Sequence, residues 1–181
     1  QNDFSGKMTD YFRNAFVQAP LLRDLRANGY KLKLYLQNYY SVYDSTPLYG
    51  LVENSVKLGS SSERFDSNDL KIVNDFRQNG LSLSPEDDRY FIMYHMHGCH
   101  TPVYLDKKGN ATEDKYDNIS SLMGCFTYIK EYIAEMKLLG VYDDSLIIIT
   151  GDHPAAISDT KLPSTTRITS LFVKSPGADN K

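Results

Sequence analysis

Apolar and charged side chains alternate in residues 30–36 (YKLKLYL). A period of two is typical of a β-strand, and the interleaved lysines predict that one face is wet or near a sheet edge. A short helix is predicted just before it, over residues 21–28, because Pro20 is well tolerated in a first helical turn. Gly29 follows as the expected helix stop.

The middle of the chain carries weaker patterns. Residues 39–67 lack periodicity and are predicted to be mostly loop, whereas residues 68–78 indicate a short surface helix that ends at Gly80. Residues 90–96 (YFIMYHM) form a compact apolar run between turn signals. The length of this run favours a buried strand over a helix.

The longest pattern is a helix that Asp117 or Asn118 would cap and Gly140 would end. Its apolar positions follow helical spacing and predict one buried stripe: Ile119, Leu122, Met123, Phe126, Ile129, Ile133 and Met136. Residues 145–150 (SLIIIT) then predict a strand buried on both faces, as in a parallel sheet. Residues 170–174 predict a last short strand.

Helices that alternate with strands predict an α/β fold with a mainly parallel sheet and helices on both faces, an αβα sandwich. The 181 residues suit a single α/β domain spanning 1–181. A net charge of −3 offers no basic excess, so we expect no nucleic-acid partner. No apolar run approaches the length that a bilayer span needs.

All four histidines follow two of the predicted strands: His95, His97 and His100 follow one, and His153 follows the other beside Asp152. Ligands of open α/β sheets bind at the carboxyl ends of strands. Asp and His at a strand tip suit a divalent metal, although a plain surface turn is the alternative. Three imidazoles suit a metal or an anionic oxygen, although core histidines bonded to carbonyls are the alternative. No Gly-rich phosphate loop and no Gly-x-Ser-x-Gly elbow is present.

Two segments together resemble the alkaline phosphatase/sulfatase superfamily: residues 139–154 (LGVYDDSLIIITGDHP) and residues 95–102 (HMHGCHTP). The similarity is closest to the lipoteichoic acid synthase and phosphoethanolamine transferase type, which is often labelled sulfatase-like. Residues 21–30 and 171–174 resemble further parts of that pattern in the same order. The resemblance implies a fragment from the C-terminal portion of a larger sulfatase-like catalytic domain, and so a truncated superfamily fold.

The resemblance also implies a reaction, the transfer or hydrolysis of a phosphate or sulfate ester with a divalent metal (zinc, manganese, calcium or magnesium). Asp152 and His153 would bind the metal, and His100, His95 and His97 would contact the phosphoryl or sulfuryl group. The ester could be lipid- or glycan-linked. The parent would be a membrane-anchored bacterial protein with this domain outside the cytoplasm, in contact with the membrane only through an N-terminal region missing here.

The chain departs from the family pattern, because it shows no catalytic nucleophile and carries Pro154 where the family has Gly. A non-catalytic binding domain with a decayed site on the same fold is therefore an alternative. An unrelated α/β domain with structural histidines is a weaker one.

We expect these 181 residues alone to show little turnover, because they carry half of a metal site and no nucleophile. Assays with a phosphodiester and an aryl sulfate, each with added divalent metals, measure this. Robust metal-dependent hydrolysis of either substrate would contradict the expectation.

Overall fold

The computed structural model describes residues 19–35, 54–55, 65–84, 86, 89–96, 98, 105–111, 117–152 and 169–178. Three helices and five strands lie in these residues: α1 (Pro20–Ala27), β1 (Lys31–Tyr35), β2 (Asn54–Ser55), α2 (Phe65–Asn79), β3 (Tyr90–Tyr94), α3 (Asn118–Leu138), β4 (Ile147–Thr150) and β5 (Leu171–Lys174). The predicted α/β class is confirmed. No helix among these residues is both long enough and apolar enough to cross a membrane.

A parallel three-stranded sheet, in the order β2-β1-β3, forms the first sheet. β1 pairs with β3 from Lys31 opposite Tyr90 to Tyr35 opposite Tyr94. α2 lies between these two strands in the sequence, as expected for a crossover between parallel neighbours. Because both strands end together, the residues that follow them emerge at the same edge of the sheet.

The prediction of a wet or edge face for β1 is wrong. β1 is the central strand, and Lys33 is only 6% exposed. The Lys33 ammonium donates to the carbonyl oxygens of Leu81, at 3.0 Å, and Ser82, at 2.6 Å. It also lies 5.2 Å from the centre of the Tyr90 ring. A charged group with such partners can be buried, so the alternating pattern did not mark a solvent face.

The apolar stripe predicted for the long helix is mostly on its exposed side. Ile119, Leu122, Met123 and Phe126 are exposed, Ile129 and Ile133 are half-buried, and Met136 is buried. The buried side of α3 instead carries small residues and one tyrosine: Ser120, Ser121, Gly124 and Tyr128. These small side chains allow other backbone segments to approach the helix closely.

The prediction that the Ile-rich strand is buried on both faces is also wrong. β4 pairs antiparallel with β5, from Ile147 opposite Lys174 to Thr150 opposite Leu171. Burial alternates along β4, and Ile148 is 57% exposed. β-branched residues favour a strand with either kind of neighbour, so the run identified the strand but not its partner or its burial.

Two other predicted elements have different bounds or burial in the structure. The helix predicted over residues 68–78 begins earlier, at Phe65. As predicted, it lies at the surface: one face buries Asp69, Ile72 and Val73, and the opposite side is exposed, for example at Lys71, Asn74 and Arg77. The strand predicted over residues 90–96 ends at Tyr94 and is half-buried. Within the predicted loop 39–67, the structure describes β2 and the start of α2, and the remaining positions lie outside the described residues.

Local helix signals are confirmed where the chain is described. Pro20 begins α1, and Gly29 follows that helix with a φ of 83°. Asp117 caps α3 by accepting a hydrogen bond from the Ser120 N–H, and its bonds to Ser120 hold the pKa of this carboxyl below its usual value. Gly140, with a φ of 71°, follows the end of α3.

A short hairpin packs against the buried side of α3. Leu105 bridges Ala111, and the Tyr128 hydroxyl on α3 donates to the Gly109 carbonyl. A Cβ atom added to Gly124 would lie 2.5 Å from the Asp106 carbonyl oxygen. The hairpin and the helix backbone therefore approach each other at a distance that only glycine permits.

Gly124→Ala should destabilise the protein by about 1–3 kcal/mol, because the added methyl group must displace the hairpin backbone. This loss should exceed the gain of about 1 kcal/mol in helix propensity. Urea unfolding followed by circular dichroism measures the difference. Lys130→Ala, at an exposed position of the same helix, is the control and should stay within about 0.5 kcal/mol of the wild type. A Gly124→Ala protein as stable as the wild type would contradict the close approach.

Candidate functional site

The candidate site lies just beyond the ends of two strands. The His95 N–H donates to the Tyr35 carbonyl at 2.9 Å, which extends the β1–β3 ladder by one bond past β3. At the end of β4, the Thr150 hydroxyl donates to the Ser170 carbonyl at 2.9 Å, and Asp152 follows two residues later. A backbone bond after β3 and a side-chain bond at the end of β4 therefore help to fix the points at which the two chain segments leave their strands.

The two chain segments meet through His95 and Asp152. The His95 Nε2 atom lies 3.7 Å from the Asp152 Oδ2 atom, and both side chains are exposed, at 51% and 65%. This separation is longer than a hydrogen bond. Two ligands bound to one zinc ion at about 2.1 Å in tetrahedral geometry are about 3.4 Å apart, which is close to the observed separation. The two atoms are therefore close enough to contact one cation, whereas an anion beside them would be contacted by the imidazole alone.

The structure thus brings His95 and Asp152 together, although β3 and β4 belong to two separate sheets rather than to the single parallel sheet that was predicted. His97, His100 and His153 lie outside the described residues, so their roles stay predictions. Among the residues that the structure does describe, no group of three or more His, Cys, Asp or Glu side chains is placed to hold a metal ion. The described part of the site is therefore a pair of donors.

The backbone after His95 is held by two buried side chains that sequence reasoning missed. The Gly98 N–H donates to the Asp69 carboxylate at 2.7 Å, and the Ser121 hydroxyl donates to the Gly98 carbonyl at 3.4 Å. Asp69 and Ser121 are both fully buried. Asp69 shares a helix face with Ile72 and Val73, three and four residues on, and this spacing was the available signal.

A cluster of aromatic rings lies beside the end of β3. The rings of Tyr35 and Tyr94 are stacked with their centres 4.4 Å apart, and the Tyr132 ring meets Tyr94 edge-on at 5.3 Å. Burial raises the pKa of Tyr94 and of Tyr132 above the usual phenol value. These phenols therefore stay neutral at physiological pH and support the strand end as packing groups.

A comparison with solved structures finds a crystal structure of a protein in the alkaline phosphatase superfamily from Vibrio parahaemolyticus. The TM-score is 0.58, the sequence identity is 14%, and the match covers 89% of this chain. The match covers 42% of the other chain, so the present chain spans less than half the length of the protein that it resembles. No family model and no curated protein matches the sequence. At this identity the likeness shows the fold, which is an α/β fold found in that superfamily.

The contribution of Tyr94 and Tyr132 to the free energy of unfolding should be constant at neutral pH and should fall as the pH rises through about 10. Unfolded phenols lose their protons near that pH, whereas Tyr94 and Tyr132, whose pKa values are raised by burial, still hold theirs. The unfolded state then binds fewer protons than the folded state, so rising pH favours unfolding. In Tyr94→Phe, the free energy of unfolding should fall less steeply above this pH.

Urea unfolding at several pH values measures how steeply the free energy of unfolding falls with pH. Tyrosinate absorbance follows the loss of phenol protons without overlap from Trp, which the chain lacks. Equal slopes for the wild type and Tyr94→Phe would contradict the burial of the Tyr94 phenol.

Proposed function

We propose that this chain is part of a metal-dependent hydrolase or transferase that acts on phosphate or sulfate esters. We propose further that it belongs to the sulfatase-like type of the alkaline phosphatase superfamily. The observation that carries the proposal is the 3.7 Å approach of His95 to Asp152 beyond the ends of β3 and β4. The likeness of this chain's α/β fold to a solved structure from that superfamily supports the proposal.

In this proposal, Asp152 and His153 hold a divalent cation. The imidazole nitrogen suits zinc and the carboxylate oxygen also suits manganese, whereas calcium and magnesium prefer oxygen ligands alone. The bound cation would lower the pKa of the attacking group and stabilise the charge that develops on the transferred group. Asp152 is exposed at the end of β4, where an ion could reach it from solvent.

His95, His97 and His100 are proposed to contact the anionic group of the ester. Imidazole N–H groups that point at the oxygens of a transferred group stabilise its developing charge. For His95, the support is the position of its Nε2 atom next to the proposed metal ligand Asp152. For His97 and His100, the support is their place in the same segment of the sequence.

A non-catalytic binding domain is the second candidate. Pro154 follows the proposed ligand pair directly, and its ring restricts the turn and removes a backbone N–H. Such a domain would bind the metal and the anion without turning over an ester. A lipid- or glycan-linked ester and a location outside the cytoplasm are proposed on the resemblance alone.

Asp152→Ala should weaken Mn²⁺ binding by more than about tenfold, because it removes a charged ligand. Titration of the full chain with Mn²⁺, with free Mn²⁺ followed by electron paramagnetic resonance, measures the affinity. Asp144→Ala is the matched control, because this exposed carboxylate lies at the opposite end of β4 and should leave the affinity unchanged. Equal Mn²⁺ affinity in the wild type and Asp152→Ala would sink the proposed metal site.

A further inference from the structure

Asp69 is a fully buried carboxylate on α2 for which the proposed chemistry has no use. Its neighbours on the same helix face, Ile72 and Val73, belong to the core. A carboxylate in such a place is costly unless it is hydrogen-bonded. Asp69 accepts a hydrogen bond from the Gly98 N–H at 2.7 Å, so it acts directly on the segment that follows His95.

Gly98 is held from two helices at once. On the other side, fully buried Ser121 of α3 donates to the Gly98 carbonyl at 3.4 Å. Gly98 has a φ of 56°, and a Cβ atom there would lie 3.3 Å from the Cys125 sulfur. The turn therefore combines a backbone conformation that favours glycine with a buried partner for each of its polar backbone groups.

His95 and Met96, which follow β3, are anchored as well. The His95 N–H is bonded to the Tyr35 carbonyl. The Met96 side chain packs against two groups of buried residues, one with Tyr35 and Ile72 and one with Val73, Leu105 and Tyr128. The backbone is held at His95 itself and at Gly98. The position of the His95 imidazole then depends only on its own side-chain torsion angles. Loss of the Gly98 anchor would release one of these two points.

We propose that Asp69 is a positioning residue of the site. By holding Gly98, its carboxylate fixes the direction in which the chain leaves β3, and so it aims His95 at the position shared with Asp152. The inference rests on the proposed function, because it assigns Asp69 to the support of a group that contacts the ester. Small displacements of such a group are expected to cost much of its contribution.

The test is a double-mutant cycle on Asp69 and His95, with inorganic phosphate and the Mn²⁺-loaded full chain. Bound Mn²⁺ speeds the ³¹P relaxation of nearby phosphate, so relaxation measures phosphate binding at the metal. His95→Ala and Asp69→Ala should each weaken phosphate binding by about 10- to 100-fold. The double variant should bind phosphate no more weakly than His95→Ala, because no imidazole remains to be positioned. Asp69→Asn should restore most of the affinity, since its amide oxygen can still accept the Gly98 N–H.

Circular dichroism establishes that each variant is folded before its affinity is used. If Asp69→Ala does not fold, Ser121→Ala takes its place, and it should weaken phosphate binding by about threefold only when His95 is present. Two results overturn the inference: a folded Asp69 or Ser121 variant with unchanged phosphate affinity, or a loss that is equally large without His95.

The two proposals fail in different ways. Mn²⁺ binding that depends on Asp152, together with phosphate binding that is indifferent to Asp69 and Ser121, overturns the positioning role alone. If Asp152→Ala binds Mn²⁺ as tightly as the wild type does, both the proposed function and this inference are overturned.

Discussion

The parallel register of β1 and β3 is the constraint on which the candidate site depends. The strands end together at Tyr35 and Tyr94, and the next hydrogen bond along the ladder is made by His95 itself. A slip of one residue would move every side chain of β3 to the opposite face of the sheet. It would separate the stacked tyrosine rings and turn His95 away from Asp152. Strand register, which is set by the buried face of the sheet, therefore places the first half of the site.

Local chemistry made several features predictable from the sequence. Pro20, Gly29, Asp117 and Gly140 mark helix ends because each acts on backbone groups within one turn of itself. The meeting of His95 with Asp152 was predictable for a different reason. Polar residues that follow strands in an α/β fold gather near strand ends, where ligand sites form, although the sequence did not indicate that β4 lies outside the parallel sheet.

Features that depend on distant partners were not predictable in this way. The burial of Lys33 required carbonyl groups that lie 48 and 49 residues further along the chain. The face that α3 buries was decided by a hairpin that needs Gly124, and apolar spacing did not indicate it. Asp69 was hidden in a helix expected at the surface, because a carboxylate is usually solvated. In each case, tertiary contacts outweighed the periodic pattern.

His95 and Asp152 follow strands that differ in how deeply they are buried. Four of the five residues of β1 are buried, whereas Ile148 on β4 and Phe172 and Val173 on β5 are exposed. Strands with few buried contacts open locally at a lower free energy than the core does. We therefore expect local opening of β4 and β5 to move Asp152 away from His95 while the parallel sheet stays folded. Persistence of the donor pair and persistence of the fold are, on this account, separate thermodynamic properties of the chain.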